Sequence, residues 1–203
     1  MNRLVDRFGS IDIYLFDQVL KGNIRPGMSI LDAGCGKGRN LVYFLREGYD
    51  VCGFDLDPAA VAAVRALAPE APPERFRVEP AEANTFPDAC ADVVVCIAVL
   101  HFARDPGHFR TMLDGVWRLL KPGGLFFCRL ATSIGMEDRC QALGQGRYHL
   151  PDGTDRFLMD ETRIMETTKE LDAALVDPLK TTLVQRQRAM TTWVLRKAQA
   201  GKS

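Results

Sequence analysis

Leu31-Asp32-Ala33-Gly34-Cys35-Gly36-Lys37-Gly38-Arg39-Asn40 follows Met28-Ser29-Ile30, and these residues together decide the fold. Met28 to Ala33 is a short, mostly apolar run that ends in a glycine cluster, the pattern of a buried strand. Beyond the cluster, Asn40 to Arg46 carries Leu41, Phe44 and Leu45 at helical spacing and meets a stop at Gly48. Glycines at alternate positions between a strand and a helix let the backbone turn tightly. They bring its N–H groups close to a ligand, beside a helix N-terminus that favours carboxylates or phosphates.

Working outward, Ile11 to Val19 reads as a leading helix (about 11–22) closed by Gly22 and Pro26-Gly27. Downstream, Val51 to Phe54 is a second strand. Asp57-Pro58 starts a crossover helix that runs to Ala68, with Asp57 as its N-cap and proline at the first position. Phe76 to Glu79 is a third strand, Asp92 to Ala98 a fourth, fully apolar and β-branched in its middle, that belongs at the sheet centre, and His108 to Leu120 a helix. Lys121-Pro122-Gly123-Gly124 reads as a turn before a fifth strand, Leu125 to Leu130. Strands alternating with helices predict a doubly wound, Rossmann-like α/β fold with a mostly parallel sheet, binding its ligand at the strand C-terminal ends. Thr181 to Gln185 and Met190 to Leu195, joined by Arg186-Gln187-Arg188, predict an antiparallel C-terminal hairpin that brings the sheet to seven strands. From Ala131 the periodicity fades until a helix at Asp160 to Leu171, so about 132–160 reads as an insertion over the pocket of one domain spanning 1–203.

The 203 residues suit one core, with 47% hydrophobic and 26% charged side chains. Lys plus Arg and Asp plus Glu stand at 26 each, so no global field points to nucleic acid or an anionic membrane. No apolar run spans a bilayer and MNRLVDRFGSIDIY lacks a signal-peptide stretch, which predicts a cytoplasmic protein. The six cysteines (Cys35, Cys52, Cys90, Cys96, Cys128 and Cys140) have no zinc-ligand spacing and read as small core residues, with no metal expected. Trp117 and Trp193 lie on periodic elements and are assigned to the core.

Asp55 follows the second strand, 21 residues after Gly34, and in nucleotide-binding α/β folds an acid at that distance takes both ribose hydroxyls. LDAGCGKGRN, GFDLDP, VEPAEANTFPDACADVVVCIAVLHF and LLKPGG resemble the class I S-adenosylmethionine-dependent methyltransferases, of the type 11/12 kind, over roughly Ile30 to Leu130. The GCGKGRN wording further resembles the tellurite-resistance and thiopurine branch. The resemblance implies S-adenosylmethionine as cofactor, with Asp32, Gly34, Cys35 and Gly36 at its methionine end, Asp55 on the ribose and Leu56 flanking adenine. The acid that commonly reaches the adenine amino group is replaced here by Pro80. Glu82, or less favourably Glu79, stands in for it, with the Ala81 N–H as the other adenine contact and carbonyls near Cys96 and Ile97 for the ammonium.

His101, at the end of the fourth strand, is the candidate catalytic residue, able in principle to position a nucleophile or take its proton; a packing or substrate-wall role is the alternative. His108 reads as an exposed helix-start residue, and His149 lies in the insertion with Tyr148. The mixed charges of GQGRYHLPDGTDRFLMD (144–160) point to a small-molecule acceptor rather than nucleic acid. The function this supports is methyl transfer to an oxygen, nitrogen or sulfur atom of a small cytosolic molecule. The competing readings are a catalytically silent S-adenosylmethionine-binding partner protein, which a plugged channel beside His101 would favour, and an NAD-dependent oxidoreductase. The latter is disfavoured by the terminal hairpin and by Arg39, which stands where the dinucleotide fingerprint needs Gly or Ala.

Overall fold

In the computed structural model, which describes residues 3–199 and 201, the chain begins with α1 (Arg3–Phe8) and α2 (Ile13–Leu20) and enters the sheet at β1 (Ser29–Ala33). It continues through α3 (Val42–Arg46), β2 (Asp50–Asp55), α4 (Pro58–Leu67), β3 (Phe76–Val78), β4 (Ala91–Ile97), α5 (Pro106–Trp117) and β5 (Leu120–Thr132). The short strands β6 (Gln141–Gly144), β7 (Arg147–His149) and β8 (Asp155–Phe157) precede α6 (Glu161–Glu170), β9 (Ala173–Leu175), β10 (Lys180–Val184) and β11 (Arg188–Lys197).

The main sheet runs β10-β11-β5-β4-β1-β2-β3, seven strands across, with β9 pairing the far end of β11. β1 to β5 are mutually parallel and β11 is antiparallel to both β5 and β10, so the fold is the one the sequence predicts. β4 shows why. Val93, Val95 and Ile97 pack on one face with Ile30, Phe44 and Val61, while Val94 and Cys96 pack on the other with Leu31, Phe126 and Trp193. Helices α2, α3 and α4 cover the first face, and α5 and α6 the second. Trp193 is fully buried and Trp117 nearly so, as expected.

Several boundaries move for identifiable reasons. Helix α5 starts at Pro106 rather than His108 because Asp105 caps it, its carboxylate accepting the His108 N–H at 2.8 Å. This is the same Asp-Pro signature that starts α4. Lys121 to Gly124 is not a separate turn. It bulges out of β5 opposite Asp92, Ala91 pairing Leu120 and Val93 pairing Leu125. α3 starts two residues later than expected, at Val42 without a side-chain cap, and the Asn40 side chain accepts the Asp12 N–H instead, at 3.0 Å. The two short elements α1 and β9 had no periodic signal to announce them.

The 132–160 segment is not irregular throughout. β6, β7 and β8 form an antiparallel sheet fixed to the body by Phe157, which stacks on Phe109 of α5 at 5.0 Å, and by Leu150 and Leu158 against Ala131. On the other side of α5, a Cβ on Gly115 would lie 2.2 Å from the Ala81 carbonyl oxygen, so the helix rests directly on the turn at Ala81–Ala83. Gly115→Ala must push that turn away. It is expected to lower stability by about 1–3 kcal/mol in urea unfolding, the usual cost of overpacking, and an unchanged midpoint would show that the turn yields freely.

Candidate active site

Beyond the C-terminal ends of β1, β2 and β4 lies a cavity of about 280 Å³. It is built on the glycine turn after β1, where the Gly34 and Cys35 N–H groups both donate to the Phe54 carbonyl, at 2.8 and 2.9 Å. Gly34 has φ 78°, and a Cβ there would sit 2.2 Å from Cγ2 of Val99, so only glycine permits this contact between the loops after β1 and β4. Asp55 ties the second strand to the same turn. Its Oδ2 accepts the Gly36 N–H at 2.8 Å and its Oδ1 accepts the Asp57 N–H at 3.0 Å, leaving each oxygen a further acceptor site.

Of the residues singled out in the sequence, Gly34, Asp55, Leu56, Ala81 and Glu82 line this cavity together. Asp32, Cys35, Cys96 and Ile97 are buried behind it, and the main chain reaches the wall at Ala98, which adopts φ 60°. Others in the lining, Val99, Phe102, His108 and Met112, were missed. The available signal was Asp105-Pro106, which puts His108 inside the first helical turn. His108 is therefore not an exposed helix-start residue. Its side chain is 13% exposed, its Nδ1 accepts the Arg104 N–H at 3.1 Å, and its Nε2 lies 3.1 Å from Glu82. Burial alone would raise the Glu82 pKa, but hydrogen bonds from its own backbone and from His108 outweigh it and hold the carboxyl below its usual range. Glu79 also lines the cavity, with its carboxylate turned to the Thr85 N–H and hydroxyl, one on each oxygen.

A second cavity, of about 350 Å³, adjoins the first at Ala98 and Phe102. His101 lines it and is 5% exposed; the structure does not bring it into the first cavity. Its Nδ1 accepts the Ala131 N–H at 3.0 Å, so the neutral ring carries its proton on Nε2. Burial first, and then the positive charges of Arg156 and Arg188, push its pKa down to about 4. The remaining walls come from the small sheet, through Leu150, Thr154 and Arg156, and from β10 and β11, through Val184, Arg188 and Met190.

Residues 31–128 match the family model described as "Methyltransferase domain". Over these residues, just under half of the chain, the protein is similar to the methyltransferase family. The chain is 34% identical over 103 residues to an uncharacterized methyltransferase of Synechocystis, covering 51% of this chain and 47% of that protein. It is also 34% identical over 106 residues to a ribosomal protein L11 methyltransferase of Burkholderia cenocepacia, covering 52% and 32%. The chain thus spans less than half the length of either of these curated relatives. A SAM-dependent methyltransferase structure from Methanosarcina mazei shares the fold with TM-score 0.72 at 19% identity, over 90% of this chain and 98% of that one.

Within residues 31–128, Asp32 is a buried carboxyl, 1% exposed, and neither oxygen has a hydrogen-bond partner among the described residues. Burial raises its pKa from 3.8 to about 7, with Arg39 opposing and Asp55 adding to the shift. Such a group takes up a proton on folding. Its contribution to stability is fully present below pH 3.8 and is lost as pH rises through about 7. Asp32→Asn cannot ionise, so it should match the parent protein below pH 3.8 and gain on it as pH rises to about 7, by on the order of 1 kcal/mol per pH unit, in urea unfolding. Parallel stability profiles for the two proteins would refute the buried-carboxylate assignment.

Proposed function

We infer that this domain transfers a methyl group from S-adenosylmethionine to an oxygen, nitrogen or sulfur atom of a small molecule. The observation that carries the reading is the meeting of two cavities at Ala98 and Phe102, one built on the glycine turn and Asp55, the other open beside His101. A plugged second cavity would have favoured a silent binding role. Its volume of about 350 Å³ falls in the range of small-molecule pockets, which supports a metabolite-sized acceptor.

The residues present fit the cofactor. Asp55 keeps an acceptor site on each oxygen for a vicinal diol, and Leu56, 71% exposed at the cavity, offers an apolar face for adenine. Ala81 and Glu82 line the same cavity and would offer the adenine edge an N–H and a carboxylate. Asp32, with both oxygens unpartnered behind Gly34, Cys35 and Gly36, is a buried carboxyl that an ammonium-bearing methionine end would draw into its ionised form. At Cys96 and Ile97 the side chains are buried, so any contact there falls to main-chain carbonyls. When bound, S-adenosylmethionine supplies an electrophilic methyl group: the acceptor's lone pair forms the new bond as the carbon–sulfur bond breaks and its electron pair returns to sulfur.

The chain's own part is alignment and exclusion of water, which suffice for an in-line displacement with a good leaving group. His101 has committed its acceptor nitrogen to Ala131, so it is a positioning donor through Nε2–H rather than a proton acceptor. Calorimetric titration should show saturable binding of S-adenosylmethionine and S-adenosylhomocysteine but not NAD. Asp55→Ala should weaken both by at least about tenfold, the loss of charge-assisted hydrogen bonds, and Glu82→Ala should weaken them less. Failure of both sulfur ligands to bind, or binding of NAD alone, would end this reading.

A further inference from the structure

The chain carries equal numbers of acidic and basic residues, yet the second cavity does not. Arg129, Arg156 and Arg188 line it against a single acid, Asp152. The available anions are largely spoken for. Asp152 accepts the Thr154 N–H at 3.1 Å and hydroxyl at 2.6 Å through one oxygen, and its other lies 3.7 Å from Arg188. Arg129 is paired with Asp12 at 2.7 Å through Nη1, while its buried Nε has no partner among the described residues.

Arg156 has no carboxylate within ion-pair distance among the described residues. Among the described residues it donates only to the Asp155 carbonyl, at 2.7 Å, and its guanidinium lies 4.7 Å from the centroid of the Phe102 ring, a residue that lines both cavities. His101 adds an N–H donor on the same wall. The rest of the lining is apolar, from Ala131, Leu150, Val184 and Met190.

We propose that the second cavity binds a small acceptor that carries a carboxylate on an apolar body, with Arg156 and Arg188 holding the carboxylate and the apolar wall holding the rest. This rests on the reading of the domain as a methyltransferase with the acceptor in that cavity. The planar guanidinium suits a two-oxygen anion through paired N–H donors. Stacking on Phe102 fixes that fork beside the boundary with the cofactor cavity and limits the side-chain freedom lost on binding. A carboxylate held there places the body of the acceptor within reach of the boundary at Ala98.

The test is ligand-observed NMR on the protein saturated with S-adenosylhomocysteine, using benzoate, phenylacetate and hexanoate, each beside its primary amide, with inorganic phosphate as competitor. The carboxylates should bind at least about tenfold more tightly than their amides, and R156Q/R188Q should abolish the difference. S-adenosylhomocysteine binding, measured separately, should persist in that variant and so report its fold. If the parent protein binds no S-adenosylhomocysteine, the methyltransferase reading itself fails. If it binds, the carboxylate proposal is overturned by any of four results: amides that bind as well, carboxylates that bind equally to R156Q/R188Q, no binding by any of the six probes, or displacement of benzoate by equimolar phosphate.

Discussion

Everything at the site depends on the contact between Gly34 and Val99. The loops after β1 and β4 touch where no Cβ can fit, with an added methyl only 2.2 Å from the valine side chain. Adjacent parallel strands bring their C-terminal ends side by side, but they do not by themselves dictate how the following loops lean. Here the glycine lets one loop fold flat against the other. Asp55 is then locked to the same turn through Gly36, and the chain leaves β4 through a left-handed residue, Ala98, that forms part of both cavities. The backbone cost of Ala98 is compensated by its N–H, which bonds the Arg129 carbonyl at 2.8 Å and continues the β4–β5 pairing.

Charge is divided across this boundary. Behind and around the first cavity stand Asp32, Asp55 and Glu82, and around the second stand three arginines and a histidine held neutral. A sulfonium donor and an electron-rich acceptor would each meet the opposite charge on its own side. The same arrangement explains why His101 is unsuited to accepting a proton. Burial and neighbouring cations both oppose its charged form, and its one lone pair in the ring plane already holds the β5 backbone in place through Ala131.

Much of this was legible in the sequence, because the deciding signals are local. The fully apolar run at 93–98 could only be a central strand, the glycine cluster could only be a turn, and Asp57-Pro58 could only start a helix. The half of the first cavity formed by the β1 and β2 ends was readable for the same reason. The other half was not. Val99, Phe102, His108 and Met112 belong to a short 3-10 turn and the start of α5, and no spacing rule aims them at Asp55. The second cavity was still less visible. Arg129, Arg156 and Arg188 come from β5, β8 and β11, far apart in the chain, and only sheet pairing and the seat of Phe157 on Phe109 gather them.

The two cavities have Ala98 and Phe102 in common among the described residues and otherwise draw on different parts of the chain. The first cavity is made before residue 113, and most of the second after residue 128. On the proposed reading, mutations in the small sheet or the final hairpin change which molecule is accepted while leaving the donor half untouched. Natural variation has room to explore new acceptors there, and the same boundary marks where an engineer could exchange one acceptor wall for another.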